Sequence, residues 1–128
     1  MSARRLVATG LAAAIAAAAL NAGLAAVARA AGVDLEVTGG EVVPVSGIAF
    51  VTAAFSLVGV VLAAALRRWS DRPVQWWWRT TIALTAASLV PPFLAATDTA
   101  TALTLALLHL VAAALVVPVV ARTLRPTA

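Results

Sequence analysis

The chain alternates between long apolar runs and short polar connections. Four apolar runs lie at residues 6–28, 48–66, 78–96 and 100–121. Each has about 20 residues, the length that an α-helix needs to cross the hydrocarbon core of a bilayer. The pattern predicts an all-α membrane protein in which four transmembrane helices form one bundle and a single domain over residues 1–128.

The longest polar segment, residues 29–47, separates the first run from the second. Apolar and acidic residues alternate over 33–37, which is the period of a β-strand. The Thr-Gly-Gly sequence at 38–40 is typical of a turn, and a second strand over 41–45 would lie at an edge because it contains a proline. The segment predicts either a small β-hairpin over the helix ends or an ordered irregular loop.

The first apolar run has a second interpretation. It follows two arginines and ends at Ala28-Arg29-Ala30, which resembles a signal-peptidase site. The run has about 22 apolar residues, whereas the apolar region of a signal peptide usually has 7–15. Its length favours a retained helix over a cleaved leader.

Two adjacent prolines interrupt the third run. Pro91 and Pro92 lack the N–H groups that would bond to carbonyls one turn earlier, so they predict a break in this helix. In lipid, the carbonyls left without partners need other donors, and a broken helix is tolerated where it lines a cavity. The fourth helix should begin after Thr97 or Asp98, either of which is a suitable N-cap.

The composition supports membrane insertion and excludes one group of chemistries. The chain is 63% hydrophobic and only 11% charged, whereas about a quarter of the residues in a soluble domain are charged. Cysteine is absent, which excludes disulfides, thiolate metal sites and cysteine nucleophiles.

The positive charge is explained by topology rather than by nucleic acid. All nine basic residues are arginines, and in the predicted topology eight of them lie on one side of the membrane. Only Arg29 lies on the other side, together with Asp34, Glu36, Glu41 and Asp98. Because cytoplasmic loops carry the excess of arginine, we expect a multi-pass protein of the plasma membrane with both termini in the cytoplasm, and no nucleic-acid partner.

All four tryptophans lie in or beside the connection between the second and third runs. Tryptophan prefers the headgroup level, where its ring and its N–H group are both satisfied. The sequence therefore predicts four interfacial anchors and disfavours an aromatic ligand cage. These anchors are Trp69, Trp76, Trp77 and Trp78.

His109 is the only histidine, and it lies near the middle of the fourth run. An ionisable side chain at that depth is costly and indicates a functional site by default. Counting ~1.5 Å per residue from the outer end of each span, every helix places one hydrogen-bonding side chain about 10–13 Å deep. This predicted polar layer consists of Asn21, Ser56, Ser88 and His109.

The layer has two interpretations. In the first, a neutral His109 donates to a carbonyl or hydroxyl and helps to hold the helices together. In the second, the layer lines a small cavity open to the outer face, where His109 binds or protonates a ligand. A His109 that faced lipid would rule out such a cavity.

The spans lack the groups that most catalysis requires. They contain no carboxylate, and Asp98 is ~16 Å from His109 along the helix. A carboxylate could reach His109 only if the outer loop folded inward. A single histidine does not make a zinc site. We therefore predict no catalytic residues, no bound metal and no cofactor.

Several segments resemble one family. They are Asn21 in an alanine-rich first helix, Gly32-Val-Asp-Leu, Ser88-Leu-Val-Pro-Pro-Phe93, the run from Thr101 to Val111 with its Leu-Leu-His-Leu-Val end, and Val117-Pro-Val-Val-Ala-Arg122. Together they resemble the small actinobacterial four-helix membrane proteins grouped as a domain of unknown function. The resemblance covers nearly the whole chain and implies a topology but no activity.

The leading hypothesis is a non-enzymatic integral membrane protein that binds a lipophilic molecule or serves as an accessory subunit. Its expected partners are the lipid bilayer, a lipophilic small molecule, and a second copy or another membrane protein. One alternative is a small membrane enzyme, of the lipid or isoprenoid isomerase or cyclase type, that uses His109 as acid or base. Another is a small-solute channel or transporter.

Overall fold

The computed structural model describes residues 3–125 and confirms the predicted fold class. Four antiparallel helical segments pack together, and a small hairpin joins the first to the second. In chain order the elements are α1 (Ala3–Ala30), β1 (Glu36–Val37), β2 (Glu41–Val42), α2 (Val45–Trp69), α3 (Pro73–Ser88), α4 (Val90–Ala95) and α5 (Thr99–Leu124). The predicted single domain also includes residues 1–2 and 126–128, which lie outside the described residues.

Three of the helices, α1, α2 and α5, are long and apolar enough to cross a membrane. The third segment is divided at Leu89 into α3 and α4, which confirms the break predicted from Pro91 and Pro92. At the break, the Leu89 N–H donates to the Ala86 carbonyl at 3.3 Å. The donor and the acceptor are three positions apart, as in a 3-10 helix, instead of the four positions of an α-helix. Helix bounds do not locate the bilayer surfaces, so the span boundaries stay predictions.

Helix α1 packs against α2 and α5, while α3 and α4 pack mainly against α5. The connections between the helices lie at the two ends of the bundle. We call the end with β1, β2 and the α4–α5 connection the hairpin end. The opposite end, which holds the α2–α3 connection and most of the arginines, is the arginine end.

The contact between α1 and α2 depends on a glycine. A Cβ atom added at Gly10 would lie 2.5 Å from a methyl carbon of the buried Val60 side chain. No real Cβ contact is this short, so only glycine allows the two helices to approach this closely at position 10.

The segment between α1 and α2 is a hairpin rather than an irregular loop. Glu36 pairs with Val42 and Val37 with Glu41, in an antiparallel register. The hairpin also bonds to the chain that follows α4: the Thr38 N–H donates to the Ala95 carbonyl at 2.8 Å, and the Thr97 N–H donates to the Glu36 carbonyl at 3.0 Å. These bonds tie the hairpin to the α4–α5 connection.

Leu35 fixes the hairpin to the bundle. Its side chain is completely buried, at 0% exposure, in an apolar cluster with Ala25, Ile48 and Leu108. Its backbone has φ +53°, a left-handed conformation that is rare for a side chain of this size. The first strand begins only after this residue, so both strands are shorter than the alternating pattern predicted.

Helix α5 starts as predicted. Asp98 is its N-cap, and the carboxylate accepts a hydrogen bond from the Thr101 N–H at 2.7 Å. The cap satisfies one of the N–H groups that have no partner within the helix.

Candidate functional site

Asn21 connects three helices in the bundle interior. Its side-chain nitrogen donates to the Thr52 hydroxyl at 3.2 Å and to the Leu108 carbonyl at 3.0 Å, and the residue is only 2% exposed. These bonds join α1 to α2 and to α5. Of the four residues in the predicted polar layer, Asn21 is the one whose hydrogen bonds cross between helices.

Two buried side-chain oxygens have no partner among the described residues. They are the Oδ1 atom of Asn21 and the hydroxyl of Thr101, which lies two turns closer to the hairpin end than Leu108. Buried polar atoms are normally bonded to protein or to ordered water. Each of these oxygens therefore has unused capacity to accept a hydrogen bond.

The two predicted serines do not extend the Asn21 contacts. Ser56 is buried on α2. Ser88 is half-buried, and its hydroxyl donates to the Thr85 carbonyl of its own helix at 2.7 Å. The hydroxyl of Ser88 thus supplies a donor to the Thr85 carbonyl next to the helix break.

His109 lies on the outside of the bundle. Its side chain is exposed, and Nδ1 is 2.7 Å from the Leu105 carbonyl, one turn earlier in α5. A carbonyl is only an acceptor, so the proton of this bond belongs to Nδ1. With Nδ1 as the donor, Nε2 is left without a partner among the described residues.

This position changes the interpretation of His109. The ring faces outward, so His109 does not line the bundle interior. The expected hydrogen bond from His109 to a carbonyl is present, but it lies within one helix. Among residues 3–125, the four predicted residues are not joined in a single hydrogen-bonded layer.

The face of α5 that carries His109 is buried above and below it. Residues seven before, seven after and eleven after a given helical residue lie within about 20° of the same direction. For His109 these are Ala102, Val116 and Val120, and all three are buried. His109 is exposed because no neighbouring helix covers this face of α5 at the level of its side chain.

The segment that contains the break between α3 and α4 is also partly uncovered. On the inward face of this segment, Trp77 and Thr81 are buried, Thr85 and Ser88 are half-buried, and Pro92 is buried again. Both α3 and α4 pack on α5. We call the uncovered part of α5 around His109 the lateral opening.

No carboxylate accompanies His109. Among the described residues, its ring has one hydrogen bond, to Leu105, and no ion pair with the acids of the segment between α1 and α2. Within residues 3–125 there is also no group of three His, Cys, Asp or Glu residues that could hold a metal ion. The opening therefore offers one acceptor nitrogen in an apolar setting.

The prediction of four interfacial tryptophans is wrong for Trp77. Its ring is 1% exposed in the bundle core, and its N–H donates to the Val117 carbonyl at 2.9 Å. Trp69 and Trp76 are exposed as expected, and Trp78 is half-buried. Trp77 is buried because it falls on the same inward face as Thr81, a property that the compact Trp-Trp-Trp sequence does not reveal.

Comparison with known proteins supports a family assignment but no activity. No curated protein and no solved structure matches the chain. A family profile, described as a family of unknown function (DUF6069), matches residues 1–126. Since the match spans nearly the whole sequence, this chain belongs to the DUF6069 family of unknown function.

Proposed function

We propose that this protein is a non-enzymatic membrane protein that binds a lipophilic molecule at the lateral opening, with His109 as its polar contact. The ligand enters from the bilayer rather than from water. One observation carries the proposal: His109 is exposed on a face of α5 that is buried on both sides of it.

The geometry of the ring specifies the ligand chemistry. Nδ1 is occupied by the Leu105 carbonyl, which leaves the Nε2 lone pair as the free acceptor of the neutral ring. A polar atom without a partner is costly in hydrocarbon. The ligand should therefore carry a hydroxyl or N–H donor on a mainly apolar body.

The surroundings favour binding over catalysis. The exposed side chains next to His109 on α5, such as Leu107 and Leu110, are apolar. An isomerase or cyclase that used His109 would need a second group to accept or return the proton. The described residues place no second titratable group at the opening.

The proposal includes the predicted location in the plasma membrane with both termini in the cytoplasm. Eight of the nine arginines belong to the arginine end, as the positive-inside rule requires of a cytoplasmic face. A reporter fused to the C-terminus should be active only in the cytoplasm. Activity only outside the cell would contradict this orientation.

The central experiment is native mass spectrometry of the membrane-purified protein, followed by identification of the released small molecules. We expect a bound lipophilic molecule in the wild type, its loss in His109→Ala, and its retention in Leu103→Ala. Leu103→Ala is the matched control because it removes an exposed side chain from the same helix, about 9 Å along the axis from His109 and turned about 120° away from it. The same spectra give the chain mass, and loss of the first 30 residues would remove the helix that carries Asn21.

Two results would contradict the proposal. In one, wild type and His109→Ala contain the same small molecules. In the other, His109→Ala converts an oligomer to a monomer without changing ligand content, which would show that a second copy covers the opening. Asn21→Ala should lower stability without removing the ligand, since Asn21 is buried away from the opening.

A further inference from the structure

The second surface feature lies at the arginine end and is independent of His109. An open groove of about 710 Å³ runs along the end of α2 and the start of α3. It is lined by Ala65, Leu66, Trp69, Ser70, Asp71, Arg72 and Trp76. We propose that this groove is a binding site for an anionic phospholipid with a hydroxyl-bearing headgroup, such as phosphatidylglycerol.

The groove changes from apolar to polar along its length. Ala65 and Leu66 belong to the last turns of α2 and form the apolar part. Ser70, Asp71 and Arg72 follow the end of α2 and form the polar part. A phospholipid has the same sequence of parts, with acyl chains at one end and a phosphate at the other.

The polar part is rich in donors. Arg72 is exposed, and among the described residues its guanidinium group is not paired with Asp71. Its backbone N–H donates to the Ser70 hydroxyl at 3.1 Å. Trp69 is 80% exposed and Trp76 49% exposed, and the described residues offer no acceptor to either indole N–H. A guanidinium group and two indole N–H groups together suit the oxygen atoms of a phosphate.

The charge of the whole connection selects an anion. Residues 67–79 contain four arginines and one aspartate. Arg79 lies over the ring of Trp76, 5.4 Å from its centroid, which holds this wall of the groove in place. Basic pockets at the ends of transmembrane helices are a known means of binding anionic headgroups.

Asp71 decides which anionic headgroup fits. It is the one acidic residue in the lining, and it would repel a second negative charge. A carboxylate accepts hydrogen bonds, so the hydroxyl groups of a glycerol headgroup give it a neutral partner. The phosphate then lies toward Arg72 and the hydroxyls toward Asp71.

The test is a lipid titration followed by native mass spectrometry of the full chain in detergent. The probes are phosphatidylglycerol, phosphatidylcholine with the same acyl chains, and soluble glycerol phosphate as a competitor. We expect tighter binding of phosphatidylglycerol than of phosphatidylcholine, and no competition from millimolar glycerol phosphate. Arg72→Gln should weaken phosphatidylglycerol binding about fivefold, the effect of about 1 kcal/mol for one basic residue at a membrane surface.

Arg122→Gln is the control, because it removes an exposed arginine from the same end of the bundle outside the groove. It should leave phosphatidylglycerol binding unchanged, as should His109→Ala. Trp76→Phe keeps an aromatic wall and loses one donor, so it should weaken binding less than Arg72→Gln. Equal losses in Arg72→Gln and Arg122→Gln, equal binding of the two lipids, or displacement by glycerol phosphate would each overturn the proposal.

Discussion

Asn21 and Leu108 are 87 positions apart in the chain and are joined by a hydrogen bond of 3.0 Å from the side-chain amide to the backbone carbonyl. The same amide nitrogen reaches Thr52 on α2. One side chain thus holds α1, α2 and α5 at a single point, and Leu108 also belongs to the apolar cluster that contains Leu35. The residue next to Leu108, His109, points away from this interior.

The coupling between Asn21 and Thr52 can be measured by a double-mutant cycle. Interhelical hydrogen bonds in membranes contribute about 0.6 kcal/mol on average and up to about 1.7. We expect Asn21→Ala to lower the free energy of unfolding more than Thr52→Ala, because it also loses the bond to Leu108. Unfolding in bicelles should give a coupling energy near 0.6 kcal/mol. Strictly additive effects would show that the two side chains do not interact.

The buried tryptophan gives a second prediction. Trp77→Phe keeps most of the apolar ring but removes the donor to the Val117 carbonyl. We expect a loss of about 1–2 kcal/mol, which combines the hydrogen bond with the smaller ring. Trp78→Phe is the matched control, because Trp78 is half-buried and only borders the core cluster. Thermal unfolding in detergent should rank the variants wild type, Trp78→Phe, Trp77→Phe, and the reverse order of the two variants would contradict the assignment.

The sequence predicts the three long helices well because bilayer thickness imposes a length on an apolar run that crosses it. The break at Pro91 and Pro92 also follows from a local rule about proline, and local rules about turns and helix ends offer the hairpin and the Asp98 cap as one of two alternatives each. Each of these features depends on a few consecutive residues. Such features can be inferred before the arrangement of the helices is known.

The orientation of individual side chains is harder to predict. Depth along a helix can be counted from the sequence, and it placed Asn21 and His109 in one layer. Rotation about the helix axis depends on which neighbours pack against each face, and here it turns Asn21 inward and His109 outward. The same uncertainty explains Trp77, which has the composition of an interfacial residue and the position of a core residue.

Gly10 gives a third prediction. Adding a methyl group there brings it within 2.5 Å of a Val60 methyl carbon, whereas a Cβ at Gly23 in the same helix meets nothing within 4 Å. Overpacking of this kind costs about 1–3 kcal/mol. We expect Gly10→Ala to lower the free energy of unfolding by that amount and Gly23→Ala to leave it unchanged or slightly raised. Val60→Ala should partly rescue Gly10→Ala, and a lack of rescue would mean that the clash lies elsewhere.

The backbone of Leu35 gives the last prediction, which concerns the order of two variants. Replacing a buried leucine by alanine costs about 2–5 kcal/mol, and glycine loses the same side chain and one more carbon. Glycine normally destabilises further, but at φ +53° it adopts the left-handed conformation without the ~1 kcal/mol that an L-residue pays. We therefore expect Leu35→Gly to be at least as stable as Leu35→Ala, although both are well below the wild type.

Val42 in β2 supplies the control for this order. It lies in an ordinary strand and is 46% exposed, so Val42→Gly should be less stable than Val42→Ala. Opposite orders at positions 35 and 42, measured by thermal unfolding in one detergent, would show that Leu35 is held in a strained conformation by burial of its side chain. The same order at both positions would show that the left-handed backbone of Leu35 carries no cost, and that the hairpin is fixed to the bundle by apolar contact alone.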